Sequence, residues 1–154
     1  MKKDILFFIY QFLLLSIFFM NLEVKRITFS ITEILKYTLI VIIIIGSIVI
    51  LFGIFGLSKP NSSFPSNTSK NRQTMFSIGI YKYIRNPIYS GVFIVLLASS
   101  IIMGSGLNII LTLLLGLSFY LKSRIEEERL IKEYSNYNEY RKQVGRFFPK
   151  FKKK

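Results

Sequence analysis

From Asn86 to Leu121 the chain runs for 36 residues without a charged side chain. One continuous helix of that length would extend ~54 Å, far beyond the ~30 Å hydrocarbon core of a bilayer. The run must therefore double back. Gly104-Ser105-Gly106 lies near its middle and supplies the turn. The pattern predicts a hairpin of two short spans, 87–103 and 107–121. At ~25 Å or less each, they suit a thinned bilayer or a partly embedded position. A hairpin also returns the chain to its starting face, so the residues at its two ends are expected to lie close together.

The rest of the chain shares this character. Half of it (51%) is hydrophobic and only 19% is charged, and the apolar residues fall in uninterrupted runs rather than at the spacing of a soluble core. Ile5 to Leu22 forms an 18-residue uncharged run. Lys2-Lys3 ahead of it also suits a cleaved signal peptide, but Phe19-Met20-Asn21 offers no small-residue cleavage pattern, so a retained helix is the expectation. After a polar link, in which Ser30 or Thr32 can cap the next helix, Tyr37 to Leu57 gives 21 uncharged residues. Gly46, Gly53 and Gly56 fall along it; the last pair fits close helix packing, and equally fits glycine tolerated in any lipid-embedded helix. Ser58 to Arg72, with Pro60 and Pro65, reads as an irregular loop. Lys122 to about Val144 is strongly charged and free of Gly and Pro, and is expected to continue the last span as a helix projecting into water.

The expected fold is thus an all-α integral membrane protein, one domain over residues 1–154, with about four transmembrane helices (about 5–22, 37–57, 87–103 and 107–121) and a cytoplasmic C-terminal helix. Four spans place the N-terminus, the middle loop and the C-terminus on one side, which then carries 18 of the 21 Lys and Arg residues. The positive-inside rule makes that side cytoplasmic. Topology therefore accounts for the net charge of +13, and a nucleic-acid partner is not expected, because the basic residues sit in gaps and tail rather than on a solvated face. With no Cys and no His, disulfides, thiolate nucleophiles, zinc sites and imidazole acid–base chemistry are excluded, and no metal is expected.

Two polar clusters flank the hairpin. The first is the knot Gly79-Ile80-Tyr81-Lys82-Tyr83-Ile84-Arg85-Asn86-Pro87-Ile88-Tyr89-Ser90-Gly91, in which Pro87 biases Asn86 away from helical geometry. A bare membrane anchor needs basic residues here, but not three tyrosines and an Asn-Pro. The second is Lys122 to Glu128, with Glu126, Glu127 and Glu128 in a row. Carboxylates at a membrane boundary are costly unless paired, and Arg85, Lys122, Arg124 and Arg129 are the available cations. A solvated helix start with pairs such as Glu128–Lys132 accounts for the same residues. Tyr134, Tyr137 and Tyr140, three apart, suit an aromatic stripe at a membrane interface as well as ligand contact.

In order, the chain carries Gly79-x-Tyr81, Arg85-Asn86-Pro87-x-Tyr89, a hairpin, Glu126-Glu127 with Leu130 and Tyr134, Tyr137 with Tyr140, and Val144-x-Arg146-Phe147-x-Pro149. This order resembles the isoprenylcysteine carboxyl methyltransferase and phospholipid methyltransferase superfamily of integral membrane enzymes. Phe64-Pro65 also fits, and the likeness covers roughly residues 51–151. The resemblance implies methyl transfer from S-adenosylmethionine to a lipophilic acceptor. It implies cofactor binding by Gln73, Thr74, Met75 and Phe76, by Tyr81, by Asn86, Pro87, Ile88 and Tyr89, and by Glu126 with Glu127. It also implies that a basic residue just ahead of the glutamates, Lys122 or Arg124, faces the acceptor; Arg85 is the third catalytic candidate. The commonest family version has His where this chain has Asn86, which can hydrogen-bond a ligand but cannot shuttle a proton. Arg146 with Phe147-Phe148-Pro149 is expected to fold the tail back over the site.

Overall fold

The computed structural model describes residues 2–20, 30–57, 79–134 and 136–150. These form five α-helices and one 3-10 turn, with no strand among them: α1 (Lys2–Met20), α2 (Glu33–Leu57), the 3-10 turn (Gly79–Lys82), α3 (Pro87–Ile102), α4 (Gly106–Glu133) and α5 (Tyr137–Gln143). Two helices are long and apolar enough to cross a membrane, over Glu33–Gly56 and Gly106–Glu133, while α1 and α3 are shorter apolar helices. Large apolar side chains stay exposed along α1 and α2, Phe19 at 73% and Ile34 at 82% among them, as lipid-facing helices require. Thr32 starts α2: its hydroxyl accepts the Leu35 amide at 3.4 Å and its carbonyl the Lys36 amide at 3.0 Å.

The chain divides into two compact units. The first comprises Met1–Ile45 and Phe93–Ile125. Leu14, Phe18, Leu39, Leu96, Leu111, Leu115 and Phe119 are buried within it. Polar groups inside it are matched to one another: Gln11 donates to the Ser118 hydroxyl at 3.0 Å, and the Ser100 and Thr112 hydroxyls lie 3.2 Å apart across the hairpin. The turn comes where the uncharged run demanded one. Gly104 takes a positive φ of 62°, and the Ser105 hydroxyl receives the Asn108 amide at 3.3 Å to open α4.

The second unit comprises Gly46–Val92 and Glu126–Lys154. Here α2 and α3 come within backbone distance: a Cβ on Gly91 would stand 2.7 Å from the Gly46 carbonyl oxygen and 2.5 Å from the Ile50 side chain. Gly53 lies against Ile88 and Gly56 against the Tyr81 ring. Among the alternatives for that glycine pair, close packing is the one the chain uses.

The C-terminal region departs from expectation. The charged segment does not run on as one helix to Val144; α4 ends at Glu133 and α5 starts at Tyr137. No Gly or Pro marks the break, but Ser135-Asn136 are residue types that favour turns and caps, and burial acts with them. Tyr134 is 5% exposed and Tyr137 2%, and Asn136 takes the bridge conformation (φ −90°, ψ −3°) between them. The three tyrosines therefore do not form a stripe on one helix, and the Tyr134 and Tyr137 side chains are buried instead of lining a membrane interface.

Candidate functional site

The knot is built from its own backbone upward. Gly79, with φ 56°, opens the 3-10 turn, and the amides of Tyr83 and Ile84 both return to the Ile80 carbonyl, at 3.0 and 3.1 Å. The chain then extends through Ile84 to Asn86, and Pro87 occupies the first position of α3, where its missing N–H costs nothing and its fixed φ suits the helix.

The extended segment is held by the far end of the chain. Ile84 and Gly145 form a parallel bridge. The Arg85 amide donates to the Gly145 carbonyl at 2.9 Å, and the Asn86 amide to the Arg146 carbonyl at 3.0 Å. The Asn86 side-chain amide adds a contact to the same Arg146 oxygen at 3.4 Å. The Ser90 hydroxyl reaches the carbonyls of Phe147 at 2.7 Å and Asn86 at 2.9 Å. Gly145 permits this strap, since any Cβ there would fall 1.7 Å from the Phe148 carbonyl oxygen. The turn that follows Val144 can therefore close only on a residue without a side chain.

Consecutive helix positions point ~100° apart, so three glutamates in a row cannot share one environment. Glu128 is exposed, Glu126 is half-buried and Glu127 is buried. Tyr89, on the first turn of α3, donates to Glu126, its hydroxyl 3.3 Å from Oε1 and 3.5 Å from Oε2. Glu127 holds two guanidinium groups. Arg146 binds it in a two-pronged pair at 3.1 and 2.9 Å, and Arg85 Nη1 lies 3.4 Å from Oε2. The two ends of the hairpin thus meet through side chains: Arg85 and Tyr89 from the knot, Glu126 and Glu127 from α4.

Tyrosines fill in around them. Tyr140 donates to the Tyr81 carbonyl at 2.7 Å, and Tyr81 to the Gly53 carbonyl at 3.3 Å. The Tyr137 and Tyr140 rings stand 5.6 Å apart at 57°. Burial, then the nearby Glu127 charge, pushes Tyr137 up to about 12, against the opposing pull of Arg85, Arg146 and Arg141. Burial likewise raises Tyr81 and Tyr140, so all three keep their protons at neutral pH.

Of the residues singled out from sequence, Tyr81, Arg85, Asn86, Pro87, Ile88, Tyr89, Glu126 and Glu127 all fall in the second unit. Lys122, half-buried, and exposed Arg124 belong to the first. Gln73, Thr74, Met75 and Phe76 lie outside the described residues, as does Phe64-Pro65. Sequence reasoning named Arg85 as a partner for the glutamates and expected Arg146 to fold the tail back over the site, as the strap does, but missed the pairing of Arg146 with Glu127. It missed the Ser90 bridge altogether.

A family model for phospholipid methyltransferase matches residues 34–137, about two thirds of the chain. The chain belongs to the phospholipid methyltransferase family. The match takes in α2, the knot, the hairpin and the glutamates, so the residues that meet in the second unit lie within the family region, apart from Tyr140 and the Arg146 strap beyond it. No curated protein and no solved structure matches the chain.

Proposed function

We propose that this family member is a membrane-embedded methyltransferase that takes its methyl group from S-adenosylmethionine and delivers it to a lipophilic carboxylate, as isoprenylcysteine carboxyl methyltransferases do. The observation that carries the reading is the Tyr89–Glu126 contact, which joins the knot to the acidic stretch. Four spans, with both termini and the middle loop in the cytoplasm, complete the proposal and put the site at the inner leaflet, where a lipid acceptor arrives laterally.

The residues present suit the donor. When bound, S-adenosylmethionine supplies a methyl group on a sulfonium, already activated for displacement. Glu126 can pair with its ammonium, and the Tyr89 hydroxyl holds that carboxylate in place. Tyr81 and Tyr89 offer aromatic surface to adenine or to the sulfonium. Such a displacement depends on alignment and exclusion of water more than on an acid–base pair, so the absence of His and Cys is no obstacle.

The same absence bears on the acceptor. A carboxylate is already ionised at neutral pH and needs only a cation to hold it. An ammonium acceptor must first lose a proton, and Asn86 cannot take one. Of the two basic candidates, Lys122 precedes Glu126 by four residues and shares its face of α4, whereas Arg124 points elsewhere and is exposed. We therefore assign the acceptor-facing role to Lys122. A second reading, which the family match leaves open, is N-methylation of a phospholipid amine.

Membranes containing the protein, incubated with methyl-labelled S-adenosylmethionine, separate these readings. A lipid-extractable label released by mild base identifies a methyl ester and supports the proposal. A base-stable label on a phospholipid amine replaces it with the second reading. No label above that of membranes lacking the protein reduces the chain to a non-catalytic scaffold that keeps the fold.

A further inference from the structure

The buried cluster around Glu127 does not balance. Two guanidinium groups face one carboxylate, with side-chain exposures of 7% for Arg85, 22% for Arg146 and 4% for Glu127. Arg146 takes both carboxylate oxygens in aligned hydrogen bonds. Arg85 is left with the weaker share: Nη1 is at ion-pair distance from Oε2 but not in hydrogen-bonding geometry, and neither Nε nor Nη1 has a hydrogen-bond acceptor among the described residues. A buried guanidinium with two idle donors is costly, because its lost hydration has no replacement. Of the charged side chains that act on Arg85, Glu127 attracts and Arg146 opposes.

We infer that Arg85 is the receptor for an anionic oxygen group of the ligand, namely the carboxylate at the amino-acid end of the methyl donor. This rests on the functional reading above and deepens it. In an α-amino acid the ammonium and the carboxylate share one carbon, so whatever binds them must offer a negative and a positive group side by side. Glu126 and Glu127 are adjacent in α4, and Arg85 and Tyr89 reach them from one turn of the knot, 3.4 and 3.3 Å away. The ligand's ammonium then goes to Glu126 and its carboxylate to the idle face of Arg85. Glu127 does not touch the ligand; it is the internal counter-ion that keeps Arg85 in place. The bound carboxylate brings the cluster of two cations and one anion to neutrality.

The test compares S-adenosylmethionine with its decarboxylated analogue, which keeps the sulfonium, the adenine and the ammonium. Affinities for both are measured by equilibrium binding to purified protein in micelles. The native protein is expected to favour the carboxylate-bearing form by about ten- to hundredfold, the worth of a charge-assisted hydrogen bond. In Arg85→Gln that preference collapses to near one, and the decarboxylated form binds as it does to the native protein. Arg85→Lys, which keeps the charge without the fork, retains part of the preference and serves if the glutamine variant does not fold. Equal weakening of both ligands would mean that Arg85 acts only on the fold, and would overturn the inference. A native protein that binds both forms equally would overturn it too while leaving the methyl-donor reading intact. A native protein that binds neither removes both. If Arg85→Gln leaves both donor affinities unchanged and instead raises the KM of an acidic acceptor, the anion belongs to the acceptor and the assignment to the donor fails.

Discussion

Two conservative substitutions on opposite sides of the Glu127 cluster are expected to differ sharply in stability. Glu127→Gln keeps the shape of a buried side chain but removes the carboxylate that pairs with both Arg85 and Arg146. The buried Arg85 then loses its ion pair and Arg146 its two-pronged partner, a change that costs ~3–5 kcal/mol where one partner of a buried pair is removed. At ~2–4 °C per kcal/mol for a chain of this size, the melting temperature falls by about 6–20 °C. Arg85→Gln removes one of two cations and leaves the two-pronged Arg146–Glu127 pair intact, so the cluster becomes neutral. Burial already outweighs the pull of Glu127 in setting the Arg85 charge equilibrium, which lies below the usual guanidinium value. Losing that charge therefore costs ~1 kcal/mol or less, about the worth of one loosely made polar contact. Thermal unfolding in micelles, followed by helical circular dichroism, reads both variants against the native protein. A Glu127→Gln variant melting within ~2 °C of native, or an Arg85→Gln variant melting more than ~4 °C below native, would refute the charge accounting.

Other contacts give independent checks. Gly145→Ala drives a Cβ into the Phe148 carbonyl and is expected to detach the strap, with its hydrogen bonds from Arg85, Asn86 and Ser90. At ~1 kcal/mol each this destabilises by ~3 kcal/mol, seen as faster proteolysis of the C-terminal segment; an intact, equally resistant protein contradicts it. Tyr89→Phe keeps the ring but removes its hydrogen bond to Glu126, and lowers donor affinity by about three- to tenfold in equilibrium binding, a contact of ~1 kcal/mol; unchanged affinity denies the orienting role. Alkali should also act through Tyr137. Its pKa rises from 10.0 unfolded to about 12 folded, so the unfolded chain releases the proton first and stability declines as pH climbs from 10 to 12. Tyr137→Phe removes that contribution, and an unaltered pH dependence in the variant speaks against it.

How far the sequence alone reaches depends on the range of the interaction. The hairpin was legible because an uncharged run of this length has one way to fit a bilayer, and Gly104 marks where it turns. The meeting of knot and glutamates followed from the hairpin, since a loop-back must return its ends to one face. The pairing inside that meeting did not follow. Arg146 reaches Glu127 across 19 residues of chain, and the motif around it, which marks the fold-back, does not name its partner. The break between α4 and α5 was hidden for the opposite reason. From Lys122 to Val144 no Gly or Pro ends the helix, and the turn preference of Ser135-Asn136 takes effect only with the burial of Tyr134 and Tyr137. Asn86 is intermediate: its place before Pro87 was readable, but its grip on the Arg146 carbonyl needed the strap to be in view.

Binding of labelled S-adenosylmethionine to the purified protein tests the proposed site most directly. The account predicts saturable binding, displaced by S-adenosylhomocysteine, and abolished or weakened at least tenfold in Glu126→Ala and Tyr89→Ala, as loss of a charge-assisted contact requires. Native-like binding in both variants would place the cofactor elsewhere in the chain and contradict the account.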